Sequence, residues 1–149
     1  MQGDNTDKMV SLYVFFGLSG SGKSYLGRSW AETIHAPYYN SDEVRKALAG
    51  LASDTRQWID YNTGIYSPDF SRKTYNELVR LAQAEIEAGN VCVIDATYTS
   101  EGERNKVIET FSGKARIVFV LCSCSDEITR DRFDIRSNDT DAASDGRWM

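Results

Sequence analysis

Eight consecutive residues carry the clearest chemistry in this chain: Gly17-Leu18-Ser19-Gly20-Ser21-Gly22-Lys23-Ser24. They match G-x-x-x-x-G-K-[ST] at every fixed position. Phosphate oxygens require several N–H donors converging on one point. Glycines let a backbone curl around such an anion with no Cβ in the way. A helix starting at the end of the loop adds its unpaired amides and the positive end of its dipole. In that arrangement Lys23 bridges the β and γ phosphates of a nucleotide, and the Ser24 hydroxyl is placed to ligate Mg²⁺. The candidate nucleotide contacts are Gly17, Ser19, Gly20, Ser21, Gly22, Lys23, Ser24 and the adjoining Tyr25. A dinucleotide fingerprint does not fit, because Gly20-x-Gly22 is followed by Tyr25 where a third glycine belongs.

Other residues extend this chemistry. Asp95 closes the apolar run Val91 to Ile94. A carboxylate at the tip of a core strand beside the phosphate loop is the Walker B arrangement, which holds Mg²⁺ directly or through water. Asn40-Ser41-Asp42-Glu43-Val44-Arg45 follows a short strand. Asp42 is placed to take a proton from an acceptor hydroxyl, and Arg45, one helical turn on, to hold an anionic group of that acceptor. The same segment also reads as a helix start capped by Ser41 or Asp42. Arg130, Arg132 and Arg136 follow the last apolar run, and Arg132 and Arg136 share a helix face. Paired arginines on a closing lid clamp a transferring phosphoryl group and exclude water. They also read as ion-pair partners of Asp126, Asp131 and Asp134. Tyr66, in the stretch Tyr61 to Pro68, and Arg104, nine residues past Asp95, are further acceptor candidates. Their plainer readings are a packed turn and a solvated helix face.

The elements that must position these groups are legible as patterns. Val10 to Phe16, Val91 to Ile94 and Ile117 to Leu121 are short apolar runs that suit strands covered on both faces. Tyr38-Tyr39-Asn40 reads as a fourth, very short strand. Helical spacing links Leu26, Trp30 and Ile34. It also links Tyr75, Leu78, Val79, Ala82 and Ile86 ahead of Gly89, and Arg104, Val107, Ile108 and Phe111 ahead of Gly113. Strands alternating with helices predict an α/β domain with a parallel sheet and right-handed crossovers. The predicted division is a tail over residues 1–8, a domain over 9–136 and a flexible lid or C-terminal segment over 137–149.

The chain has 149 residues, the length of one domain. Its net charge of −5 argues against bulk nucleic-acid or anionic-membrane binding. The three cysteines, Cys92, Cys122 and Cys124, lack zinc-site spacing and read as free thiols, so no structural metal is expected. Residues 1–8 do not form a signal peptide, and no apolar run is long enough to span a membrane. A cytoplasmic location is expected.

The segments GLSGSGKS, NSDEVRKALAG, YNTGIYS, VIDATY and the arginines of RDRFDIR carry a resemblance over most of the chain. The chain resembles the small P-loop kinases grouped with AAA-type ATP-binding and zeta-toxin-like proteins, close to polynucleotide kinase and gluconate kinase. The resemblance implies a three-layer α/β/α fold of strand order 2-3-1-4 with a helical lid. It implies ATP and Mg²⁺ as cofactors, Asp42 as general base and Arg45 as a contact to an acceptor phosphate. It also implies Asp95 near the metal, and Arg132 and Arg136 on the lid, Arg132 reaching the nucleotide. Kinases of this group continue past the lid into another core strand. Nothing after Arg136 reads as one, so that strand is expected to be missing. The expected activity is transfer of the ATP γ-phosphate to a hydroxyl of a small molecule or a nucleic-acid end. The alternative is an ATP-binding or slow ATPase module, without an acceptor of its own, in a larger or truncated protein.

Overall fold

The computed structural model describes residues 9–18, 20–50 and 67–123. Four strands and four helices alternate: β1 (Ser11–Phe16), α1 (Lys23–Ile34), β2 (Tyr38–Asn40), α2 (Ser41–Leu48), α3 (Pro68–Glu87), β3 (Cys92–Ala96), α4 (Glu101–Phe111) and β4 (Arg116–Leu121). The strands form one parallel sheet of order β2-β3-β1-β4, as predicted. β3 runs one residue beyond Asp95, so that carboxylate lies within the strand and not after it. The predicted tail and C-terminal segment lie outside the described residues.

Side-chain alternation along the strands divides the core in two. Leu12 and Val14 of β1 join Cys92, Ile94 and Ala96 of β3 on one face, under Leu78, Ala82 and Ile86 of α3 and Val107 and Phe111 of α4. Phe15 and Val93 point to the opposite face, where Ala31 of α1 covers them. Because β3 alternates with period 2, Asp95 shares the α1 face with Val93. Register places Asp95 opposite Phe15 on one side and Asn40 on the other.

Helix α1 forms where the spacing of Leu26, Trp30 and Ile34 predicts it, but it packs by other residues. Leu26 and Trp30 do not form its inner face: Leu26 is 47% exposed, and Trp30 lies at the margin, edge-on to Tyr13. The buried positions are Lys23, Gly27 and Ala31. A Cβ at Gly27 would lie 3.3 Å from the Tyr38 ring and 3.4 Å from Phe15. Small residues let the helix lie close against the sheet, and the bulky apolar ones flank the contact.

The helix starts differ in a way that bears on function. Asn40, Ser67 and Ser100 each accept backbone N–H bonds at the starts of α2, α3 and α4. The start of α1 is Gly22, at φ 92°, with no side-chain cap. Its first turn also holds no acidic residue. The amides and dipole end there are left for an external anion.

Candidate active site

The phosphate loop leaves β1 at Gly17, whose N–H donates to the Thr97 carbonyl beyond β3. Gly17 has φ 146°, and a Cβ there would meet the backbone carbonyl oxygen of Cys122 at 2.2 Å. Glycine is therefore required by space as well as by torsion. Gly20 and Gly22 also have positive φ, at 83° and 92°. The Ser21 hydroxyl is buried and has no hydrogen-bond partner among the described residues. A buried orphan hydroxyl in a loop of this shape fits a phosphate oxygen as its partner. Lys23 is 7% exposed, and its charge acts on Asp95. The Tyr25 ring is 77% exposed, which leaves its backbone as the part nearest the loop. Ser19 lies outside the described residues.

Asp95 is fully buried, and two side chains from β2 hold its two oxygens. Tyr38 donates its hydroxyl to Oδ2, and Asn40 donates Nδ2 to Oδ1 at 2.8 Å. Tyr38 and Asn40 can act together because they are two residues apart and share one face of the strand. Burial pushes the Asp95 carboxyl up from its ordinary range, while the Tyr38 hydroxyl, the Lys23 ammonium and the Asn40 amide oppose that rise. Burial first, and then the Asp95 charge, push the Tyr38 phenol well above its ordinary range, so it stays a donor. Arg28 lies over the outer face of the Tyr38 ring at 5.3 Å and pairs with Glu43 at 3.1 Å.

Asn40 has further partners. Its Nδ2 donates to Ser24 Oγ at 3.0 Å. Its Oδ1 accepts the backbone N–H groups of Asp42 at 2.8 Å and Glu43 at 3.1 Å. Asn40 is thus the cap of α2, in place of the expected Ser41 or Asp42. An amide oxygen in an extended-backbone residue reaches the amides two and three positions on.

Asp42 stands one residue inside α2, with its side chain 21% exposed. Its charge raises the Asp95 carboxyl further, so the two carboxylates share one electrostatic environment. Arg45 is less open than its expected role suggests. Its side chain is 8% exposed, its Nη1 donates to Ser71 Oγ of α3 at 2.8 Å, and its Nε lies 4.0 Å from Asp42 Oδ1. Lys46, next along α2, is fully buried, which its sequence position did not signal.

Beyond β3 the chain forms a polar shelf. Tyr75 of α3 shares a hydrogen bond with Thr97 Oγ1 at 3.0 Å. Tyr98 has φ 43° and is buried, with its hydroxyl lacking a hydrogen-bond partner among the described residues. Arg104 donates Nη1 to the Tyr98 carbonyl at 2.7 Å and lies over the Phe16 ring at 5.8 Å. Its guanidinium therefore turns inward to brace this loop, and the solvated-face reading does not hold. Tyr66, Arg132 and Arg136 lie outside the described residues.

Oxygen donors from Asp95 and Ser24, brought together through Asn40, are the hard ligands that Mg²⁺ takes. The uncapped helix start and the orphan Ser21 hydroxyl fit a polyphosphate.

The sheet order, the glycine loop between β1 and α1 and the flanking helices define the fold of the small P-loop kinases. Among solved structures, the chain is similar to a gluconokinase from Sinorhizobium meliloti, at 20% identity and TM-score 0.59, covering 88% of this chain and 67% of that one. It is similar to a chain of the Pnkp1/Rnl/Hen1 RNA repair complex, at 22% identity and TM-score 0.65, covering 100% and 43%. It is also similar to the APS kinase of Mycobacterium tuberculosis in complex with AMPPNP and APS, at 18% identity and TM-score 0.65, covering 83% and 68%.

A family model described as AAA domain matches residues 12–147, and the chain belongs to that family. Curated relatives include uncharacterized proteins of Mycobacterium tuberculosis and Mycobacterium bovis, each 28% identical over 132 residues. The alignment covers 86% of this chain and 26% of each relative, so the chain spans about a quarter of their length.

Proposed function

We propose that this domain binds ATP with Mg²⁺ and transfers the γ-phosphoryl group to a hydroxyl acceptor, a small molecule or a nucleic-acid end. The observation that carries this reading is geometric: Asn40 bonds Asp95 and Ser24 with its amide nitrogen and the Asp42 N–H with its oxygen, which brings both carboxylates to one place beside the phosphate loop. A nucleotide site without transfer chemistry needs the loop and one metal carboxylate. A second carboxylate at the start of α2 is the group that a hydroxyl acceptor requires.

The loop amides, the Ser21 hydroxyl and the Lys23 ammonium bind and orient the triphosphate. Ser24 and Asp95 would hold Mg²⁺, which when bound neutralises phosphate charge. Asp42 orients the acceptor hydroxyl and takes its proton as the new O–P bond forms and the bond from the γ-phosphorus to the β–γ bridging oxygen breaks, releasing ADP. Arg45, held by Ser71, keeps the Asp42 side of α2 in place and offers positive charge to an anionic acceptor. Arg132 and Arg136, and Tyr66 on the acceptor side, complete the proposal from the sequence. A cytoplasmic setting fits this chemistry, and among the described residues no helix is long and apolar enough to cross a membrane.

The length of the curated relatives favours one second reading: an ATP-binding module serving a larger protein, with no acceptor of its own. ADP release across a panel of hydroxyl acceptors separates the two. Release that rises with one acceptor class supports the kinase. A rate that is flat across the panel supports the module and removes Asp42 from the chemistry.

A further inference from the structure

The Asn40 side chain has four hydrogen-bonding places, two N–H donors and two lone pairs on one oxygen. All four are taken in a residue that is 6% exposed. The donors go to Ser24 and Asp95, with the Tyr38 hydroxyl a longer third contact at 3.4 Å, and the oxygen accepts from the amides of Asp42 and Glu43. The orientation of the amide is fixed by its partners, since two backbone N–H groups require the oxygen on the α2 side.

The cap alone does not explain an asparagine. Serine, threonine and aspartate cap a helix about as well. Aspartate here would face the Asp95 oxygen with a second carboxylate oxygen, and like charges that close cannot both ionise. Serine offers a single O–H and a shorter reach. Among good caps, asparagine alone offers two donors opposite its capping oxygen, and both are used on Ser24 and Asp95.

We propose that Asn40 is a positioning residue that couples the pair holding the metal, Ser24 and Asp95, to the first turn of α2, which carries Asp42. This rests on the function proposed above. Through one rigid amide, the geometry of the metal pair sets the place of the acceptor-side carboxylate. A displacement at Ser24 or Asp95 when the site fills is passed to the Asp42 and Glu43 amides without an intervening loop.

The test uses the full chain and its Asn40→Ser variant, which keeps a capping oxygen but loses the two amide N–H donors and their reach. Backbone amide resonances of Asp42 and Glu43 are followed while Mg²⁺ is titrated into ATP-loaded protein, with calorimetry run in parallel. In the unmutated chain both resonances are expected to move with Mg²⁺ occupancy. In Asn40→Ser that movement is expected to be lost while ATP still binds, and half-saturation is expected at about 10–100-fold higher Mg²⁺. Asn40→Asp provides a second variant that keeps the cap; its expected result is the same loss, with weaker Mg²⁺ binding. Equal movement of the Asp42 and Glu43 resonances in both variants and the unmutated chain overturns the coupling. So does an unmutated chain that binds Mg-ATP with those resonances still. Calorimetry that registers no Mg-ATP binding by the unmutated chain is a different failure: it removes the functional reading, and the coupling with it.

Discussion

Tyr38 and Asp95 are separated by 57 positions in sequence and joined by a hydrogen bond from the phenol to Oδ2. The bond crosses from β2 to the neighbouring β3, two residues out of register, since Tyr38 lies opposite Val93 and Asp95 opposite Asn40. Tyr38→Phe keeps the ring that packs against α1 and removes the donor. Loss of a partner behind a metal ligand costs about 10–100-fold in metal affinity. The expected result is a rise of that size in the Mg²⁺ needed for half-maximal ATP turnover, with the circular dichroism spectrum unchanged. An unaltered Mg²⁺ dependence would show that the phenol is mere packing.

The proposed roles of Lys23 and Asp42 separate binding from transfer. Lys23→Ala is expected to abolish ATP binding or turnover in a folded protein, because the proposal has the ammonium act on the phosphates directly. Asp42→Asn is expected to leave ATP affinity within a few-fold and to lower acceptor-dependent transfer by about 10²–10⁴. Calorimetry and single-turnover transfer measure the two effects. Full transfer in Asp42→Asn takes that residue out of the mechanism.

Gly17→Ala tests the fit of the loop. The added methyl group would lie 2.2 Å from the Cys122 carbonyl oxygen, at a φ that side chains rarely adopt. Cys122 cannot easily retreat, since its N–H is bonded to the Phe16 carbonyl at 2.8 Å. Urea denaturation is expected to show a loss of about 1–3 kcal/mol, typical of overpacking. Unchanged stability would mean the loop sits farther from β4 than described.

The phosphate loop was legible because its chemistry is local: one contiguous segment specifies the turn, the helix start and the charges. Asp95 was legible because an apolar run pointed to it. Tyr38 and Asn40 were not, although both fell in a stretch read as a strand. Their roles arise where two alternate positions of a three-residue strand meet a carboxylate far along the chain. The Y-x-N spacing was the available signal, and only knowledge of the adjacent strand gives it meaning. Helix α1 was legible as a helix, but its inner face was not: large apolar residues dominate a periodicity, whereas its buried positions are Lys23, Gly27 and Ala31. Arg104 looked solvated because helix spacing does not reveal that a long side chain can fold back onto a carbonyl.

The Cys92 thiol gives a pH-dependent handle on the other face of the sheet from Asp95. Burial pushes it up to about 12. A folded-state value above the unfolded one, about 8.5, means that the neutral thiol's stabilising contribution is complete below that lower value. It is lost as pH rises toward about 12. Between those limits the unmutated chain is expected to lose stability faster than Cys92→Ala, measured as the slope of urea midpoints against pH. Parallel slopes would place the thiol in water in the native protein.

Gly27 has a consequence for spacing. A methyl group there would crowd the Tyr38 ring at 3.3 Å and Phe15 at 3.4 Å, so any larger residue has to displace those rings or lift α1 from the sheet. The missing side chain is thus what sets the depth at which α1 sits, and Tyr38, the donor to Asp95, is one of the two residues it sits against.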